Sequence, residues 1–121
     1  MKGAHHQSPN FLTRMNNVLL FVPPKVRRAV EAAATQGNTS MRELYLAAIQ
    51  GFVVKAQAAR RAGTFSELAF LATYKHPKAA RLQMWLDEAT SQEVTRLAQR
   101  AAVTRRSFCY TALLDTYPLG D

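Results

Sequence analysis

The sequence predicts a mainly α-helical chain with a short two-stranded antiparallel ribbon, built from two similar units. Glycine is scarce, with 5 in 121 residues, and hydrophobic residues make up 48% of the chain, which is enough for a folded core. Apolar residues recur at helical spacing through most of the sequence. Two short segments, 18–22 and 82–86, instead alternate in the manner of β-strands.

The first unit contains one predicted strand and two predicted helices. Residues 18–22 alternate as a strand that is apolar on both faces. Pro23 and Pro24 end this strand, and proline is favoured in the first turn of the helix that follows. The sequence Ser40-x-x-Glu43 is a capping box, which predicts the start of a second, longer helix.

A connector separates the two units. The sequence Thr64-x-x-Glu67 forms another capping box, and apolar residues follow it at helical spacing. We therefore expect a short helix over residues 65–74, which Pro77 prevents from continuing.

The second unit repeats the first. Residues 82–86 alternate again, Asp87 is a good N-cap, and Thr104 caps a further helix. A constant shift along the sequence, here called the repeat offset, places Val18 on Leu82. At this offset the strand, the residues that end it, the apolar helical positions and the helix cap of one unit coincide with those of the other without a gap, which indicates an internal repeat. We expect residues 17–121 to form one compact domain, with the chain divided into a flexible tail (1–16), a first unit (17–61), the connector (62–80) and a second unit (81–121).

One such unit cannot fold alone. A chain of fewer than about 40 residues rarely buries a sufficient core, and a lone strand leaves both edges unpaired. Both problems are solved if the two strands pair as an antiparallel ribbon and the four helices share one core.

The segments "VLLFVPPKVRRAVEAAATQGNTSMRELYLAAIQGF" and "LQMWLDEATSQEVTRLAQRAAVTRRSFCYTALLDTY" carry a resemblance to a known family. The order of strand and helices in each segment resembles that of the ribbon-helix-helix superfamily, whose members include the Arc and methionine repressors. The resemblance implies two units fused as an intramolecular pseudo-dimer that binds double-stranded DNA. Two fused copies are also similar in layout to the second protein of the virulence C operon, which implies a plasmid or conjugative DNA-transfer accessory role; transcriptional regulation stays open.

Carried onto this sequence, the resemblance implies two sets of DNA-contacting residues. The ribbon, which the family inserts into the major groove, would present Leu19, Phe21, Arg81, Gln83 and Trp85 to the bases. The N-termini of the second helices would meet phosphates through Thr39, Ser40 and Arg42 in one unit and Thr104, Arg105 and Arg106 in the other. Lys25, Arg27 and Arg28 are either flanking phosphate contacts or solubilising charges.

Two of these residues depart from the family pattern. Leu19 and Phe21 cannot hydrogen-bond to a base and can only pack on thymine methyl groups. They contact DNA, face a protein partner, or are covered by the tail or the connector. The ribbon is therefore asymmetric, and we expect base reading to be weaker or confined to the second strand. Because the two halves of a single chain are free to diverge, the target sequence can be non-palindromic.

Charge and motif content narrow the class of function. Sixteen Lys and Arg face eight Asp and Glu, and a small domain with a pI near 10.3 usually meets a polyanion. No catalytic constellation, metal-ligand spacing or phosphate loop is present, so we expect no enzyme activity, metal, cofactor or small-molecule substrate. The lone Cys109 is predicted to be a core thiol, compatible with a reducing cytoplasm, and no segment has the length of a membrane span. The alternative function is a protein–protein adaptor or antitoxin-like module that uses the connector helix, which could also serve self-association, and the strand face.

Overall fold

The computed structural model of the protein describes residues 16–120. This part of the chain is mainly helical and contains one two-stranded antiparallel sheet, as the sequence predicts. The predicted tail lies outside the described residues, except for Asn16. The elements follow in the order β1 (Asn17–Val22), α1 (Pro24–Gly37), α2 (Met41–Ala62), a 3₁₀ turn (Phe65–Glu67), β2 (Ala80–Trp85), α3 (Glu88–Ala101) and α4 (Arg105–Thr116).

The two strands pair over their full lengths. Leu20 lies opposite Leu82 and Val18 opposite Met84, and all four side chains are buried in the core. The Leu86 N–H donates to the Asn16 carbonyl (2.9 Å), which extends the pairing beyond the ends of the strands. Because successive side chains point to opposite faces, the inner face of this ribbon is buried and the outer face is formed by the alternate residues.

Helix bounds in the two halves coincide at the repeat offset that the sequence indicates. Helices α1 and α3 have 14 residues each, and the offset relates both their starts and their ends. The residue after each helix has a left-handed backbone, with φ of 53° at Asn38 and 60° at Ala102. Helices α2 and α4 likewise begin at equivalent positions, Met41 and Arg105.

The halves differ in the length of their last helix. Helix α2 has 22 residues and α4 has 12, so α2 continues well beyond the point equivalent to the end of α4. The extension packs against α3: Val53 and Ala56 are buried, and Gln57 Nε2 donates to Glu93 Oε2 (2.8 Å). Gly63, with φ of 78°, ends the helix in a left-handed cap, as glycine commonly does.

The core lies between the inner face of the ribbon and the helices. Its largest fully buried side chains include Phe108, Ile49, Leu97 and Leu113. Cys109 has no exposed surface, and burial raises the pKa of its thiol to about 12, which confirms the predicted core thiol. No helix within residues 16–120 combines the length and apolar character that a membrane span requires.

The prediction of a connector helix over residues 65–74 is wrong. Only the three residues of the 3₁₀ turn are helical, and residues 68–78 have no regular helix or strand. Thr64 makes no side-chain capping bond; its hydroxyl instead donates to the Ala59 carbonyl (3.4 Å). The predicted capping box therefore does not form.

Contacts with α4 explain the extended connector. The Leu71 N–H donates to Thr111 Oγ1 (2.9 Å), and Ser107 Oγ donates to the Leu71 carbonyl (2.6 Å). Phe70 packs against Phe52 and Phe108, with ring centroids 6.0 and 5.8 Å away. These contacts satisfy the backbone groups of Leu71 and partly bury the Phe70 ring, so tertiary packing overrides the local helical preference.

Candidate nucleic-acid interface

The five predicted ribbon residues lie together on the outer face of the sheet. The register places Leu19 opposite Gln83 and Phe21 opposite Arg81, and directly opposed residues of an antiparallel pair share one face. Arg81, Gln83, Phe21 and Trp85 are exposed, and Leu19 is half-buried. Nonpolar and hydrogen-bonding side chains are thus interleaved on one narrow surface.

A sixth residue, absent from the sequence prediction, completes this face. Asn17 is half-buried and lies opposite Trp85. It is the first residue of β1, outside the alternating apolar run, so hydrophobic periodicity carries no signal for it. The repeat does carry one, because the repeat offset makes Asn17 the equivalent of Arg81.

The connector is engaged elsewhere and is not well placed to cover Leu19 and Phe21. Its ring contacts are with Phe52 of α2 and with Phe108 and Tyr110 of α4. Phe21 keeps 41% of its surface exposed. The other predicted cover, the N-terminal tail, lies outside the described residues.

The two second-helix N-termini are built alike. Ser40 Oγ accepts from the Glu43 N–H (3.1 Å), and Thr104 Oγ1 accepts from the Ser107 N–H (3.0 Å). Each hydroxyl satisfies one of the first-turn N–H groups, which have no partner inside a helix. An N-terminus with free N–H groups and the positive end of the helix dipole favours a bound anion.

Arg42 and Arg106 occupy the second position of these helices. Both side chains are exposed, and neither forms an ion pair within residues 16–120. A cation at a helix N-terminus opposes the dipole, so a bound anion would compensate the charge at each position.

The start of α2 carries an acid that the start of α4 lacks. The Thr39 hydroxyl donates to the Glu43 carboxylate, and this bond, together with a hydrogen bond from the backbone of Ser40 to the same carboxylate, lowers the pKa of Glu43. Glu43 therefore stays ionised beside Arg42, and the predicted phosphate contact of Thr39 competes with its bond to Glu43. The equivalent of Glu43 in α4 is the neutral Ser107.

Arg105 reinforces the positive charge at α4. Its side chain is half-buried, and Nη2 donates to Ser91 Oγ of α3 (2.9 Å), which orients the guanidinium. With Arg105 and Arg106 and no acid in its first turn, α4 offers a stronger anion site than α2.

Comparison of the chain with protein-family models, with curated proteins and with solved structures found no match. The ribbon-helix-helix resemblance therefore stays a prediction that rests on the repeat and on the geometry described above.

The three basic residues of α1 are placed differently from one another. Lys25 Nζ donates to the Leu119 carbonyl (2.6 Å), so it holds the C-terminal segment against the start of α1. Arg27 pairs with Glu31 one turn later (3.5 Å), and Arg28 is exposed. Of the three, Arg28 is the residue without an ion pair or hydrogen bond among the described residues.

The predicted site residues thus form separate sets. The ribbon set is brought together by strand pairing, whereas the helix-start residues form one set at α2 and one at α4. No hydrogen bond, ion pair or ring contact joins these sets in the described part of the chain. Within residues 16–120 there is also no cluster of three or more His, Cys, Asp or Glu that could hold a metal.

Proposed function

We propose that the protein binds double-stranded DNA as two ribbon-helix-helix units fused into one pseudo-dimeric chain. The outer face of the ribbon enters the major groove, which is wide enough for a two-stranded ribbon. The N-termini of α2 and α4 contact phosphates on either side. The proposed role is that of a plasmid or conjugative DNA-transfer accessory factor, or of a transcriptional regulator, in the bacterial cytoplasm.

One observation carries the proposal. Two capped helix N-termini occupy equivalent positions of the repeat, each with an exposed arginine at its second position, and the strands that precede these helices pair with each other. The net charge of +8 supports a polyanionic partner.

Duplex binding measured as a function of salt tests the proposal. Each phosphate contact contributes a slope of about −0.9 in the logarithm of affinity against the logarithm of salt concentration. Arg42→Ala and Arg106→Ala should each weaken binding to every duplex and reduce the slope by about one. Arg106→Ala should have the larger effect, because no acid neutralises the start of α4.

Arg61→Ala is the matched control. Arg61 is exposed and belongs to the same helix as Arg42, but it lies about 28 Å further along the axis. It removes the same charge without touching a helix N-terminus. Equal losses in all three variants would contradict the phosphate assignment and leave only a general charge effect.

The alternative, a protein–protein adaptor, is supported by the exposure of Phe21 and Trp85, but not by the connector, whose aromatic side chains pack inward. If the chain binds no duplex even at low salt, DNA binding is wrong and the adaptor function is favoured. Gel filtration tests the pseudo-dimer, because a chain that pairs its own strands should elute as a folded monomer.

A further inference from the structure

The outer face of the ribbon consists of three cross-strand pairs, each with one apolar and one hydrogen-bonding side chain. Leu19 faces Gln83 in the middle. One end carries Phe21 and Arg81, and the other carries Trp85 and Asn17. Every apolar side chain of this face therefore has a hydrogen-bonding side chain directly opposite it.

The arrangement has an approximate two-fold relationship. Leu19 and Gln83 are equivalent at the repeat offset and also lie opposite each other, so they mark the centre. The same offset makes Phe21 the equivalent of Trp85. An aromatic side chain therefore stands at each end of the face, on opposite strands.

Both aromatic side chains reach solvent. Phe21 is 41% and Trp85 is 36% exposed, although each belongs to a regular strand whose inner residues are buried. Exposed apolar groups gathered on one small face mark an interaction site, whereas single scattered ones do not.

The chemistry of the face fits the major groove of an A·T-containing duplex. The thymine methyl is the apolar group that bases present there, and glutamine can bond to both major-groove atoms of adenine. Arginine bonds to guanine or to a phosphate. A purely apolar partner would leave Arg81 and Gln83 without partners, whereas DNA satisfies both kinds of side chain.

The distance between Phe21 and Trp85 along the ribbon follows from the strand register. Trp85 lies opposite Asn17, which is four residues from Phe21 along β1. Four residues of strand span about 13 Å, which corresponds to about four base-pair steps of roughly 3.4 Å.

We propose that Phe21 and Trp85 each read a thymine methyl group, on opposite DNA strands and about four base-pair steps apart, around a central A·T pair contacted by Leu19 and Gln83. This inference rests on the proposed function and adds the class of DNA sequence that the ribbon prefers. It also assigns base reading to both strands of the ribbon, instead of to β2 alone.

The experiment uses the full chain and double-stranded DNA probes. Selection from a random duplex library should return sequences with two thymines at this spacing. Each thymine is then replaced by deoxyuridine, which removes only the methyl group. Affinity should fall about fourfold per replacement, the effect expected for one buried methyl-sized group.

Variants assign each methyl group to a side chain. Phe21→Ala should abolish the sensitivity to uracil at one thymine and Trp85→Ala at the other. Val54→Ala is the control, because Val54 is 61% exposed on α2, away from the ribbon, and should leave both sensitivities intact.

The outcomes separate this inference from the proposed function. If deoxyuridine leaves affinity unchanged while binding stays salt-dependent, thymine reading is wrong and DNA binding stands. If no duplex binds at low salt, the proposed function itself fails. The uracil measurement uses the unaltered chain, so it is decisive even if an alanine variant does not fold.

Discussion

Leu19 and Gln83 are direct partners in the sheet and also equivalent positions of the two halves of the sequence. The centre of strand pairing therefore coincides with the centre of the internal repeat. A slip of one residue would move the buried side chains of β1 to the outer face, so burial fixes this register. Within β1, the buried residues therefore stabilise the fold, whereas the alternate residues between them form the outer surface.

Neighbouring leucines of β1 should respond very differently to truncation. Leu20 is 2% exposed, so Leu20→Ala should lower the free energy of unfolding by about 2–5 kcal/mol through lost burial and a cavity. Leu19→Ala, on the outer face, should cost about 1 kcal/mol or less. Urea denaturation of both variants measures the difference, and similar losses would contradict the observed strand orientation.

Replacing Ala102 by glycine should stabilise the protein. Ala102 has φ of 60°, and a left-handed backbone costs a residue with a Cβ atom roughly 1–2 kcal/mol. Part of that gain is lost to the greater freedom of glycine in the unfolded chain, so we expect about 0.5–1 kcal/mol in net stability. The control is Ala101→Gly at the last residue of α3, which should destabilise by up to about 1 kcal/mol. Thermal unfolding of both variants should show shifts of opposite sign.

Ser107→Ala should loosen the connector without unfolding the helices. It removes the hydrogen bond from Ser107 to the Leu71 carbonyl, which is worth about 1 kcal/mol. Limited trypsin digestion should then cut faster after Lys75, which is exposed in the connector. Ser66→Ala, at an exposed position of the 3₁₀ turn, is the control and should leave the rate unchanged. An unaltered rate in Ser107→Ala would mean that this bond does not hold the connector.

Stability should fall in alkaline solution. Burial raises the pKa of Cys109 from 9.0 and the pKa of Tyr45 from 10.0, each to about 12. Above pH 9 the unfolded chain releases the thiol proton while the folded chain keeps it. The unfolded state then binds fewer protons, and the free energy of unfolding decreases as pH rises towards 12.

Cys109→Ala isolates the contribution of the thiol. Between about pH 9 and 11 its stability should decline less steeply than that of the unaltered chain, by up to about 1.4 kcal/mol per pH unit. Urea denaturation over this range measures both slopes. Parallel curves would show that Cys109 ionises in the folded protein as readily as in the unfolded one.

Local signals in the sequence proved sufficient for most element boundaries. Ser40, Asp87 and Thr104 each accept a hydrogen bond from an N–H three residues later, so their effect can be read within one helical turn. Pro24 likewise determines the start of α1 through its own backbone geometry.

The connector could not be predicted in the same way. Its conformation depends on Ser107, Thr111 and Phe108, which lie far along the chain, in α4. A capping box and an apolar spacing describe only the helical alternative and say nothing of these distant partners. The outer face of the ribbon was predictable where the residues alternate, whereas the alternation gives no signal for Asn17, which only its equivalence to Arg81 in the repeat indicates.

Both strands of the sheet belong to one chain, so their pairing is a first-order process whose equilibrium does not depend on protein concentration. A sheet formed between separate chains would come apart on dilution. Every molecule of this protein therefore carries a complete ribbon from the moment it folds, and a cell can maintain the intact surface with only a few copies. A low amount of the protein reduces the number of ribbons, but each ribbon is still completely paired.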